Sequence, residues 1–373
     1  MNQCKKVIFT IAATCGLLIL ILDAETASFG AYEGIQLCVK TLIPSLFPLF
    51  VVSGYTCQLL STFQIPLFKP LLYLCGMPPG TESFLIMGLL GGYPVGAKIV
   101  SSAYTDGLID KNTAKRMLGF CNNAGPAFVF GVVGNIFKDF CVPWLLLAIL
   151  ICSAILTAWL LPPCQKKMLI QQKQPAITFA KNFEGALHAI ANICGWIILF
   201  RVILTILNRW LFWLFPEIIQ IILTGILDLS NGCLELTRIN NDSIKFIICA
   251  GMLSFGGICV FMQTISVVGQ LGTGYYFPGK LLQCVISIFF ATIVQQLYFK
   301  PEHSALIISI IIPSSAIILI FVIFRFLKNK KTVAFPEPLM YNRRNYLKRG
   351  SQYAVSQKNH ALLHVLQQRN TAE

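Results

Sequence analysis

The chain has 373 residues, of which 56% are hydrophobic and only 12% are charged. Soluble domains carry about a quarter charged residues, so this composition excludes a water-soluble module and points to an all-α, polytopic transmembrane helical bundle. The net charge of +14 gathers at the N-terminus, in one central loop and in the C-terminal tail. That is the pattern of cytoplasmic loops, not of a nucleic-acid-binding surface.

In chain order, Lys5 and Lys6 precede an apolar run from Val7 to Leu22. The following Asp23-Ala-Glu-Thr-Ala27 is a poor signal-peptide cleavage site, so a retained first transmembrane helix is expected. Residues 28–42 carry Tyr32, Ile35, Val39 and Leu42 at helical spacing, which predicts an amphipathic helix resting in the interface. Pro44 and Pro48 then open a second span from about Leu46 to Leu60, and Gly76-Met-Pro-Pro-Gly80 reads as a turn. Asp110 is placed to cap a helix beginning at Lys111. A strong span follows from Val142 to Leu161. The loop 162–181 holds Lys166, Lys167, Lys173 and Lys181 and no acid, so it is read as cytoplasmic and as the boundary between two halves. Further spans are expected at Phe183 to Leu207, Leu211 to Leu227, Ile244 to Val268, Leu281 to Leu297 and Ser304 to Leu327, before a basic tail. The expected division is thus 1–43 (anchor and amphipathic helix), 44–161 (first half), 162–181 (loop), 182–327 (second half) and 328–373 (tail).

Four interruptions stand out in this apolar sequence. Gly91, Gly92, Pro94 and Gly96 fall within six positions, where glycine favours the unfolded chain and proline removes a hydrogen-bond donor. Asn122 and Asn123 precede Gly125-Pro126. The second half carries Asn231 in Asp228-Leu-Ser-Asn-Gly-Cys-Leu-Glu235, and Gly256-Gly257 after Ser254, with Gln263 farther along. Unwound backbone survives in hydrocarbon only where protein buries it or a wet cavity meets it. Paired interruptions in two halves point to a transporter site near the midplane. The order of the two kinds of break is reversed in the second half, so the internal symmetry is imperfect.

The candidate solute-binding residues are therefore Gly91, Gly92, Tyr93, Pro94, Gly96, Lys98, Asn122, Asn123, Asn231, Glu235, Ser254, Gly256, Gly257 and Gln263. Each has a plainer alternative. Lys98 can offset an anionic solute or snorkel to the interface. The asparagines can bind solute or cap helix ends. Glu235 can couple transport to an ion or pair with Arg238 or Arg201. Ser254 and Gln263 can hold helices together. Arg201 and His188 read as structural, and His360 and His364 as solvated. No nucleophile–base set, metalloprotease motif or phosphate-binding loop occurs, so no enzyme activity is expected. The fourteen cysteines show no Cys-x-x-Cys or metal-ligand spacing, and neither a metal nor a cofactor is expected.

At Gly91-Gly-Tyr-Pro-Val-Gly-Ala-Lys98, Asn122-Asn-Ala-Gly-Pro126, Asn231-Gly-Cys-Leu-Glu235 and Ser254-Phe-Gly-Gly-Ile-Cys-Val260, the chain resembles the sporulation integral membrane proteins of the YlbJ type. These belong to the wider group with nucleoside-recognition, or Gate, domains. The resemblance runs from about Leu42 to Leu327. It implies a multi-pass protein of the outer forespore membrane that moves dipicolinic acid during endospore formation. Dipicolinate, a small aromatic dianion, suits helix N-termini and a lysine, with Tyr93 or Phe255 available for stacking. The partners expected are the lipid bilayer and this anionic solute, with room for a coupling ion and for a homo-oligomer, and no nucleic acid. The alternatives are a nucleoside or other metabolite carrier and a non-transporting scaffold for cortex or coat assembly.

Overall fold

The computed structural model describes residues 3–48, 50–52, 72, 75–78, 81–162 and 179–299. Most of the central basic loop, the span expected at Ser304 to Leu327 and the tail from Lys328 lie outside these residues. Helices account for the regular structure among the described residues, with no strand. Five are long and apolar enough to cross a membrane, which makes the chain a multi-pass integral membrane protein.

The first helix, α1 (Gln3–Leu22), is followed by α2 (Ala24–Leu37). A π turn at Cys38–Leu42 carries α2 onward without a break, and the whole apolar helix runs Ala24–Val52. The residues expected to form a separate interfacial helix over 28–42 are thus part of this longer apolar helix. The reason is packing. Gly30 and Gly34 form a flat face, and a Cβ at Gly34 would lie 2.9 Å from the Ile198 backbone. This small-residue stripe lets two helices approach closely, as lipid-embedded helices do.

Next come α3 (Glu82–Leu90) and α4 (Val95–Thr105), separated by the first glycine break. The short α5 (Lys111–Met117) is capped by Asp110, whose Oδ1 accepts from the Thr113 N–H at 2.6 Å. It leads through the Asn122-Asn123 break into α6 (Pro126–Gly131), with proline at the first helical position. The spanning helix α7 (Cys141–Leu160) follows. The buried Arg116 donates to the carbonyls of Ala158 and Pro162 at its C-terminal end.

Beyond the loop, α8 (Phe179–Trp210) is the 32-residue helix on which α2 packs. The hairpin of α9 (Glu217–Leu227) and α10 (Leu229–Glu235) turns at Asp228. Then α11 (Asp242–Phe255) and α12 (Gly257–Val268) meet at the second glycine break, where Gly256 and Gly257 have φ of +84° and +83°. The last described helix is α13 (Tyr276–Tyr298).

Helix α13 shows the inverted logic of a membrane interior. Lys280, Gln283, Ser287, Thr292 and Gln295 are buried, whereas Leu281, Val285, Ile288, Ile293 and Leu297 are exposed. The apolar face suits hydrocarbon, while Lys280, Gln283, Ser287 and Thr292 on the polar face hydrogen-bond to protein groups. Each of three apolar core clusters mixes residues from both sides of the basic loop. One joins Phe128 and Leu146 to Phe246 and Leu253, and another joins Val95 to Ile193 and Cys259. The third joins Met117 and Ala154 to Tyr276.

Candidate functional site

The four interruptions converge. Glycine at position 96 lets α4 lie on the Asn122 break, since a Cβ there would stand 2.0 Å from the Cys121 carbonyl oxygen. Gly92, at φ +79°, brings the first break against Gly125. Tyr93, in a cis peptide with Pro94, reaches across to the second glycine break. Its hydroxyl donates to the Leu253 carbonyl at 3.3 Å and lies 3.5 Å from that of Ser254, two acceptors near the end of α11. A Cβ at Gly256 would strike that hydroxyl at 2.8 Å, and one at Gly257 would crowd the α9–α10 turn. The two Gly-Gly breaks are thus pinned to each other through one tyrosine.

Both asparagines are buried. Asn122 accepts from the Ala97 N–H at 3.2 Å and donates to Thr264 Oγ1 at 3.0 Å. Asn123 donates to the Phe120 carbonyl at 2.7 Å, while its Oδ1 accepts from Lys280 Nζ and Gln283 Nε2, each at 2.8 Å. Lys280 Nζ also donates to Gln283 Oε1 at 2.7 Å and lies 5.1 Å from the Tyr93 ring centroid. Two amide oxygens and a π face thus surround an ammonium that is 1% exposed. No carboxylate pairs with it among the described residues.

A second buried charge lies in the other half. Asp228, 1% exposed, caps α10. Its Oδ2 accepts from the Asn231 N–H at 3.1 Å and from the Asn231 side-chain amide. Asn231 Oδ1 accepts from Arg201 at 2.7 Å, and Arg201 in turn grips Glu33 Oε2 at 2.7 and 3.0 Å. The Cys259 thiol hydrogen-bonds the Asp228 carboxylate and accepts from Gln263 Nε2 at 3.4 Å.

Between these groups lies a cavity of about 40 Å³. Its wall includes Gly91, Gly92 and Tyr93 from the first break, Gly125 from the second, Asp228 and Ser230 from the third, and Gln263 beyond the fourth. That volume holds water-sized occupants only. A ring-sized solute does not fit in it as it stands.

Several candidates take other places. Lys98 is exposed, and its Nζ donates to the Gly185 carbonyl at 3.1 Å. It does not line the cavity. Glu235 lies at the far end of the seven-residue α10 and pairs with Arg238 at 3.0 Å. Arg238 also holds Glu217 at 2.9 Å, so this is a loop ion-pair network. Ser254 Oγ is buried without a hydrogen-bond partner among the described residues. Pro94, Gly96, Gly256 and Gly257 shape the breaks and do not line the cavity. The sequence reading missed Lys280 and Asp228. A signal for the first was present in the polar stripe Lys280, Gln283, Ser287.

These features define a polytopic α-helical membrane protein whose interrupted helices enclose a buried polar centre. The chain is 24% identical over 346 residues to the sporulation integral membrane protein YlbJ of Bacillus subtilis (strain 168), covering 76% of this chain and 81% of that protein. This similarity supports the YlbJ-type resemblance carried by the four motifs. No family model matches the chain, and no solved structure matches it.

Proposed function

We propose that the chain is a sporulation membrane transporter that carries a small organic anion, dipicolinate, across the outer forespore membrane by alternating access. The observation that supports this most directly is the meeting of three of the breaks, with Val260 and Gln263 from the helix after the fourth, at one cavity. Broken helices that converge on a largely apolar cavity carrying a few polar groups, Tyr93, Asp228, Ser230 and Gln263, are what a solute carrier needs and what a scaffold has no use for. Lys280 supplies the positive charge, one tyrosine ring from the cavity wall. An ammonium without a carboxylate partner favours an anion at that wall. Parting the breaks enlarges the closed cavity to admit the solute, and Tyr93 is the latch between them.

The test is uptake of labelled dipicolinate into liposomes holding the purified chain. Wild type is expected to transport, Lys280→Met to lose transport, and Lys98→Met to keep it. Loss in Lys98→Met with retention in Lys280→Met would overturn this assignment of the cation. A second reading, carriage of a nucleoside or other neutral metabolite, is favoured by Asp228 and Gln263 on the wall, which suit neutral hydrogen-bonding groups better than a dianion. Competition of labelled uptake by unlabelled nucleosides decides between the two.

A further inference from the structure

The mixed chemistry of the cavity raises a question that anion transport alone does not answer. A carboxylate stands in the wall of a cavity that, on the transport reading, receives a dianion. In a medium of low dielectric, two like charges at contact distance repel strongly. Among the described residues, no basic side chain pairs with Asp228. Arg201, the guanidinium that reaches toward it, stops at Asn231 Oδ1 and is otherwise spent on Glu33. Lys280 lies on the other side of Tyr93 and is held by Asn123 and Gln283.

We infer that Asp228 is the coupling group of the carrier, taking up one proton from water on the side where the solute enters and releasing it on the other side. This inference rests on the transport reading and adds its driving ion. With the carboxyl protonated, the cavity accepts the anion; with it ionised, the anion is expelled. Solute and proton therefore travel in the same direction. Both Asn231 donors go to Oδ2 and hold the cap in either state, while the Cys259 thiol and the Ser230 N–H also bond the carboxylate.

The other titratable groups around Asp228 are Cys259 from α12, Cys38 from the π turn, Cys233 from its own helix and Tyr93 across the cavity. None of them brings a positive charge. The charged groups near it are Arg201 and Glu33, both at one remove through Asn231.

The experiment uses the full chain in liposomes with membrane potential clamped. Two assays run together: exchange of labelled for unlabelled dipicolinate without any gradient, and net accumulation driven by acid outside. One proton per anion and a pH difference of about one unit give up to about tenfold accumulation. Asp228→Asn and Asp228→Ser, both good helix caps, are expected to lose the acid-driven accumulation, and the exchange they retain is expected to be independent of pH, unlike that of wild type. Full accumulation in either variant would overturn the inference, as would loss of exchange in both variants from protein that melts like wild type. Failure of exchange in wild type would instead sink the transport reading, and the coupling with it.

Discussion

At the scale of single residues, backbone approach is what glycine provides here, and two glycines test it against each other. Gly96 has no room for a methyl group, because the Cys121 carbonyl oxygen is 2.0 Å from where its Cβ would be. Gly195, within the long helix α8, has nothing within 4 Å. Gly96→Ala is expected to cost about 1–3 kcal/mol through overpacking against backbone that cannot yield. Gly195→Ala is expected to be neutral or to gain up to about 1 kcal/mol of helix propensity. Thermal unfolding in detergent checks both, and equal melting of the two variants would refute the close approach. The same contacts explain why the charged residues matter. Lys280 is drawn inward because Gly279 packs on Gly119, where a Cβ would stand 2.3 Å from the carbonyl oxygen.

At the scale of elements, the end of α13 is tied to the loop before α7 by Tyr298, whose hydroxyl donates to Asp139 Oδ2 at 2.6 Å. That bond, with a second from the Cys141 N–H, holds the exposed Asp139 carboxyl below its ordinary value. A lowered carboxyl contributes stability above its unfolded pKa and loses it as pH falls through the folded one. The melting difference between wild type and Tyr298→Phe is therefore expected to be largest near neutral pH and to vanish below the lowered Asp139 value. A constant difference across that range would show the tie to be mere packing. Elements also show what was legible beforehand. The breaks at Gly91-Gly92 and Gly256-Gly257 announce themselves, since glycine and proline act on the backbone locally. The burial of Lys280 and Asp228 does not, because it depends on which helix meets which. Lys280 sits at the start of an apolar run, where a lysine ordinarily snorkels. Asp228 becomes a cavity wall only because Gly225 and Gly232 let α9 and α10 fold back on each other. Glu235 misleads for the opposite reason. Its leucine neighbours suggest hydrocarbon, but the helix is too short to carry it there.

At the scale of the whole molecule, the two sides of the basic loop do not fold as separate bodies. Each core cluster draws on both, and Tyr93 fastens the first half's break to the second's. A core and a buried polar centre shared by both sides place the proposed carrier function in the bundle. The scaffold alternative places function in the basic tail, residues 328–373, which would recruit other proteins. The two are separated by complementing a sporulating strain that lacks its own homologue. If the bundle acts as a carrier, the chain without residues 328–373 restores dipicolinate accumulation in spores, and the full-length Lys280→Met variant does not, although it reaches the membrane in equal amount. A scaffold gives the reverse, because a buried ammonium held by Asn123, Gln283 and Tyr93 offers nothing to a partner outside the membrane.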